Sequence, residues 1–284
     1  MPIARHGEGL RANFGALASQ VHPVFMLPPL AASWFGSMIA GSFGLALGAL
    51  HMVAIFAAVY TAHVKDGYVD FHLRGEDDDH PLTERGCKLA LAGSTALFFA
   101  CLASLWYAVD PLAALITLPC WLIAYHHAPQ LDLNPVGATT GYPAGIALAI
   151  LGGFYVQTTT ITPTALAFAL VFLVLLSGVK VIDDAQDYEY DRSIEKRTVA
   201  VVVGEERARL AAYVLIVAGL ALVVGFAGLA LFPPETILAT LAFGAVAAVA
   251  WRAEPDLATS LLIRGAYVFL ALLLAAVWFR PLGW

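Results

Sequence analysis

Apolar runs long enough to cross a bilayer follow one another along most of this chain, separated by short polar stretches. They fall near 23–40, 43–64, 87–108, 111–128, 139–157, 164–182, 210–232, 235–251 and 260–279, most of them near the ~20 residues a membrane helix needs. The pattern predicts an all-α polytopic membrane protein of about nine transmembrane helices. Several runs contain Gly or Pro, which helices in lipid tolerate because neighbouring groups satisfy the freed backbone. The first 22 residues are weakly amphipathic, carry Arg5 and Arg11, and lack the apolar stretch of a signal peptide. An interfacial N-terminal segment is expected there, ahead of a single domain covering 1–284.

Composition sharpens this picture. Only 13% of the 284 residues are charged against 60% hydrophobic, about half the ~25% charge of a soluble domain, and mean hydropathy is +0.79. The net charge of −6 is local: of 21 acidic residues, seven lie in 66–84 and eight in 183–206. It therefore says little about a partner, and no nucleic acid is expected. Cys101 and Cys120 sit in apolar runs and, with Cys87, show no ligand spacing in sequence, so they read as small core residues.

Basic residues set the orientation. With the N-terminus inside, the segments 1–22, 65–88, 129–138, 180–209 and 252–259 hold thirteen of the fifteen Lys and Arg. Arg264 falls near the inner end of the last span, and only Arg280 lies outside. The excess of Lys and Arg on inner loops predicts a cytoplasmic N-terminus, a cell-membrane location and a site in the cytoplasmic cap loops. Each acidic cluster follows an apolar span, the second and the sixth, which suggests two four-helix units plus a ninth helix.

The clusters carry the chemistry. One reads Asp183-Asp184-Ala-Gln-Asp187-Tyr188-Glu-Tyr-Asp191, followed by Lys196-Arg197-Thr198; the other reads Asp66-Gly-Tyr-Val-Asp70, then Glu76-Asp77-Asp78-Asp79. Asp183, Asp187 and Asp191 at i, i+4 and i+8 would share one helical face about 6 Å apart. Gathered carboxylates repel, and a divalent cation turns that repulsion into binding. Mg²⁺ typically takes one or two carboxylates plus phosphate oxygens. Two such clusters at a membrane surface point to a diphosphate carried on a lipid.

With these residues laid out, the chain resembles the UbiA superfamily of intramembrane prenyltransferases. Asp187-x-x-x-Asp191-x-x-x-x-Lys196-Arg197-Thr198, closing on Gly204, resembles its second signature, and Asp66-x-x-x-Asp70 with Asp77 its first. The resemblance implies transfer of a polyprenyl group from polyprenyl diphosphate to a small acceptor. It also implies Mg²⁺, as two ions, held by Asp66, Asp70, Asp77, Asp183, Asp184, Asp187 and Asp191. Of these, Asp66, Asp70, Asp187 and Asp191 would be catalytic, and Lys180, Lys196, Arg197, Tyr125 and Tyr188 would bind substrate. Tyr125-x-x-x-Pro129, Gly153-Phe-Tyr155-Val-Gln157-Thr158 and Gly75-Glu-Asp77 are similar to the menaquinone-pathway branch, whose acceptor is 1,4-dihydroxy-2-naphthoate. Tyr68, Tyr125, Tyr155 and Tyr188 are expected around the prenyl cation. The chain departs from the family pattern where Lys65-Asp66 and Asp183-Asp184 replace the usual opening Asn. It also departs in 129–138, which carries Asp132 and no Lys or Arg.

Other functions are set aside on sequence. A CDP-alcohol phosphotransferase needs Gly-x-x-Ala-Arg after its paired aspartates, which neither cluster has. A divalent-cation transporter would place acids along a path to both faces, whereas the outer half carries only Asp110, Glu235 and Arg280. Glu76 to Asp79 taken alone reads as a solvated run, and the oligomeric state is open.

Overall fold

A computed structural model describes residues 2–279, and Arg280 lies outside them. Among the described residues all regular structure is helical except one isolated bridge between Ala4 and Leu82. The helices run α1 (Gly9–Ala18), α2 (Pro23–Ile39), α3 (Leu45–Gly67), α4 (Glu84–Ala108), α5 (Pro111–Tyr125), α6 (Pro135–Thr158) and α7 (Pro163–Gln186). They continue as α8 (Tyr188–Ser193), α9 (Val199–Val203), α10 (Glu205–Gly228), α11 (Thr236–Ala250) and α12 (Pro255–Phe279).

Each of the nine apolar runs forms one helix. Six are long and apolar enough to cross a membrane: those based on α3, α4, α6, α7, α10 and α12. The other three, α2, α5 and α11, have 17, 15 and 15 residues. They rise only about 22–26 Å against a hydrocarbon core of about 30 Å, so the expected nine spans become six of full length and three shorter apolar helices. Their ends are set by local chemistry. Thr83, Asp110, Asn134 and Thr162 cap α4, α5, α6 and α7 with side-chain oxygens, and Pro opens the last three, where its missing N–H costs nothing.

Lipid offers no hydrophobic gain for joining two helices, so close van der Waals packing has to hold them together. Glycine supplies it. A Cβ at Gly36 would lie 2.1 Å from the Ile150 carbonyl oxygen, and one at Gly153 would lie 2.1 Å from that of Ser33, so α2 and α6 touch backbone to backbone. Gly178 and Gly219 do the same between α7 and α10, at 2.6 Å from the Ala212 oxygen and 2.7 Å from Leu175 Cβ. His51, a polar residue deep in α3, is fully buried and hydrogen-bonds Ser33 Oγ at 2.7 Å.

Two irregularities at the helix ends matter for the site. After Gly67, α3 winds into a π-helical turn over Tyr68–Arg74, closed by Gly75 in the left-handed conformation (φ +69°). The Glu76 N–H then donates back to the Asp70 carbonyl at 2.8 Å. Such turns widen a helix and re-aim its side chains, and they concentrate at functional sites. The second irregularity is at Asp187, a single non-helical residue (φ −96°, ψ 19°) at which α7 stops and after which α8 starts.

Candidate active site

A cavity of about 760 Å³ runs from these two helix ends into the apolar interior. Its polar wall includes Asp66, Asp70, Glu76 and Asp77 from the first cluster, Asp183, Lys180, Tyr190 and Lys196 from the second, and Arg74, His127 and Asp132. The opposite wall is apolar, with Ile55, Val59, Ile146, Phe172, Leu176 and Leu270. The two acidic loops, more than a hundred residues apart in sequence, thus meet at one end of one chamber. The Tyr190 hydroxyl ties them together by donating to Glu76 Oε2 at 3.0 Å. Burial, then the Glu76 carboxylate, push the Tyr190 phenol up to about 12, so it remains a donor.

The acids are not equivalent. Asp66, Asp70 and Asp77 line the cavity. Asp70 faces the Arg74 guanidinium one helical turn on, at 3.5 Å, and that guanidinium also approaches Glu76 (3.6 Å) and Asp132 (3.8 Å). Asp183 lines the cavity too, but Lys180 Nζ donates both to it (2.9 Å) and to Asp184 (2.6 Å). Asp184 is 2% exposed and Asp191 only 1%. Asp191 pairs with Lys196 at 3.3 Å. Each keeps one carboxylate oxygen, Oδ2, buried without a partner. Asp187 is exposed at the corner. The single face expected for Asp183, Asp187 and Asp191 is therefore broken, because the helix ends between the first and the third.

Burial, then repulsion from Asp184, holds the Asp191 carboxyl above the ordinary carboxylate range despite Lys196. Burial likewise raises Asp132, against the pull of His127 and Lys196. Desolvation works against the Lys196 ammonium, as does Lys180, yet Asp191, Asp132 and Asp184 outweigh them and raise its pKa.

The expected substrate residues divide. Lys180 and Lys196 line the cavity. Arg197 is exposed, and its backbone N–H donates to the Asp132 carbonyl at 2.7 Å, joining the third inner loop to the second cluster. Tyr125 stacks on Trp121 at 5.0 Å and carries Lys65 over its ring at 4.7 Å. Tyr188 packs on the main core. Tyr155 donates to Asp110 at 2.8 Å, and Tyr68 packs beside Val64 and Cys87. None of these four tyrosines is among the cavity-lining residues, which instead include Phe25, Tyr142, Phe172 and Tyr267. Arg74 and Glu76 also line the cavity, and sequence reasoning passed over them as candidates. The signal for Arg74 was its i+4 spacing from Asp70.

The donor set suits a hard cation. Carboxylate oxygens of Asp66, Asp70, Asp77 and Asp183 from two loops match the all-oxygen coordination of Mg²⁺, and three cations stand beside them for an anionic ligand; Asp184, Asp187 and Asp191 are not among the lining residues.

The sequence profile described as the UbiA prenyltransferase family matches residues 30–273. No curated protein matches the chain significantly in sequence. Among solved structures, the apo structure of a UbiA homolog from Aeropyrum pernix K1 aligns over 89% of this chain and 98% of its own, with TM-score 0.69 and 16% identity. A UbiA homolog from Archaeoglobus fulgidus bound to DMAPP and Mg²⁺ covers 93% and 98%, with TM-score 0.66 and 17% identity. A digeranylgeranylglyceryl phosphate synthase covers 94% and 98%, with TM-score 0.72 and 13% identity.

Proposed function

Because the chain belongs to the UbiA prenyltransferase family, we propose that this membrane enzyme joins a polyprenyl group from polyprenyl diphosphate to an aromatic acceptor, 1,4-dihydroxy-2-naphthoate, in menaquinone biosynthesis. The observation that carries the reading is the meeting of both acidic loops at the polar end of one cavity whose other wall is apolar. A prenyl diphosphate has the same two-part character. The A. fulgidus homolog bound to DMAPP and Mg²⁺ supports the diphosphate and the metal.

Asp66, Asp70 and Asp77 on one side and Asp183 on the other would hold Mg²⁺, as two ions, with Asp184 and Asp191 behind them. Bound there, the metal supplies Lewis-acid stabilisation of the leaving diphosphate. Lys180, Lys196 and Arg74 add charge-assisted hydrogen bonds to the same anion, and their present carboxylate partners keep them in place until it arrives. Tyr190 holds the two loops at a fixed separation. Deeper in, the faces of Phe172, Tyr142 and Tyr267 meet the positive charge that grows on the allylic carbon, while the apolar wall excludes water that would capture it.

Two features favour an aromatic acceptor. His22 and His63 stack at 4.9 Å beside Phe25, and all three line the cavity, offering flat surfaces to a ring. The three lining cations, Lys180, Lys196 and Arg74, are taken up by the diphosphate on this reading, which leaves little for an acceptor bringing its own phosphate. The positive-inside asymmetry supports a cytoplasmic active site and N-terminus. The test is prenyl transfer by purified protein with Mg²⁺, several chain lengths and a panel of acceptors. Turnover with the naphthoate and none with glycerol-phosphate lipids is expected; the reverse preference would reject the acceptor while leaving the transferase intact.

A further inference from the structure

The first acidic loop is bracketed by a second set of ligand-type side chains, of which His80 also lines the cavity with Asp70 and Asp77 while His72 and Cys87 lie outside that lining. His72 lies within the π-helical turn, two residues before its end at Arg74, His80 closes the loop, and Cys87 sits in the first turn of α4. One ligand atom from each lies within 4.8 Å of the others. Cys87 Sγ and His80 Nδ1 are 3.9 Å apart, near the roughly 3.6 Å separating S and N ligands on a tetrahedral zinc ion. His72 Nε2 and His80 Nδ1 both approach the Leu82 carbonyl oxygen, at 3.1 and 3.2 Å. A thiol and two imidazoles are therefore gathered together, with the Leu82 carbonyl oxygen against both rings and the Leu82 N–H 3.2 Å from His80 Nδ1. His80 is 5% exposed and Cys87 fully buried.

We propose that His72, His80 and Cys87 form a second metal site, selective for a thiolate-seeking divalent cation such as Zn²⁺ and separate from the Mg²⁺ site. Sulfur and imidazole ligands favour zinc, whereas Mg²⁺ prefers all-oxygen sites, so the two ions would sort themselves by ligand type. Binding releases the Cys87 proton to solvent and leaves a Zn–S bond, with no redox change. The cation would clasp the loop containing Glu76 and Asp77 at both ends and fasten it to α4. The same place is crossed by the N-terminal segment, since Thr83 N–H donates to the Ile3 carbonyl at 3.0 Å and Ala4 bridges to Leu82. Occupancy would then set how firmly the first cluster is held, whatever the acceptor.

The test uses the full chain in detergent, stripped with chelator and titrated with Co²⁺ and then Zn²⁺ in excess Mg²⁺. One equivalent of Co²⁺ should give a near-ultraviolet thiolate charge-transfer band and tetrahedral visible bands, and Zn²⁺ should bleach both. Cys87→Ser should lose the charge-transfer band. His72→Gln should keep it but weaken binding beyond the roughly 10–100-fold that loss of an outer-shell partner costs. A wild-type protein that binds no Co²⁺ in excess Mg²⁺, or binds it without the thiolate band, overturns the site. That spectrum needs neither turnover nor a variant, so it stands apart from the fate of the prenyl-transfer reading.

Discussion

The two acidic clusters look alike in composition and are used differently. At the end of α3 the acids face the chamber: Asp66, Asp70 and Asp77 line it, and Arg74 is the cation among them. At the end of α7 the chamber meets Lys180 and Lys196, while Asp184 and Asp191 are buried as their counter-ions. The difference is a matter of spacing and backbone. Lys180 stands three and four residues before Asp183 and Asp184, so one helical turn brings them together. The π-helical turn at Tyr68–Arg74 instead spreads its side chains over a wider arc. A cluster of carboxylates can thus present negative charge to a ligand, or it can be the hidden half of a site that presents positive charge. On this account the first loop is chiefly the metal half and the second chiefly the diphosphate half.

The contrast can be broken most forcefully from the first loop. Asp70→Ala should lower prenyl transfer on the order of 10³-fold or more, since several kcal/mol of Lewis-acid stabilisation depend on the ion it holds; single-turnover rates at saturating Mg²⁺ check this. On the second loop, Lys180→Met leaves the buried Asp184 carboxylate uncompensated. It should cost roughly 3–5 kcal/mol of stability, measured as loss of folded protein on heating in detergent. Adding Asp184→Leu to that variant should restore the fold without restoring activity, which would separate the structural acid from the binding cation.

Smaller effects refine the picture. Tyr190→Phe removes the 3.0 Å bond between the loops and should raise KM for the diphosphate severalfold at about 1 kcal/mol, with the melting temperature little changed. Acidity gives a third handle. Asp191 and Asp132 sit above the ordinary carboxylate value of about 3.9, chiefly through burial. Their raised folded-state pKa favours the metal-free fold at low pH, and that contribution is lost as pH rises through the raised values. Only the ionised forms hold Lys196 and Arg74 in place, so affinity for a prenyl diphosphate analogue should fall as pH falls from neutral toward the ordinary range. Arg197→Ala, at an exposed side chain, should change stability by less than about 0.5 kcal/mol.

Much of this could be read before any coordinates. The nine apolar helices followed from hydropathy, because a backbone in lipid has few other ways to satisfy its hydrogen bonds. Charge crowding singled out both clusters, and both contribute residues to one cavity. What escaped the sequence were the long-range partners. Glu76 reads as part of a solvated run, yet it is held by Tyr190 and Arg74, contacts that depend on how the loops dock. Asp79 from the same run is exposed and pairs instead with Arg5 and His6 of the N-terminal segment. The corner at Asp187 is equally silent, since nothing in Asp183–Asp191 forbids a continuous helix. The four tyrosines expected around the prenyl chain pack elsewhere because aromatic residues at span ends have several apolar neighbours to choose from.

The central claim is that the two loops grip one ligand, and coupling measures it most directly. Asp70→Asn, Asp183→Asn and the double variant should each be titrated with an unreactive prenyl thiodiphosphate in Mg²⁺. Shared binding predicts that each single change weakens affinity at least tenfold and that the double variant is little worse than either, a coupling of about 1.4 kcal/mol or more. Strictly additive losses, or no loss in one of the singles, would contradict it.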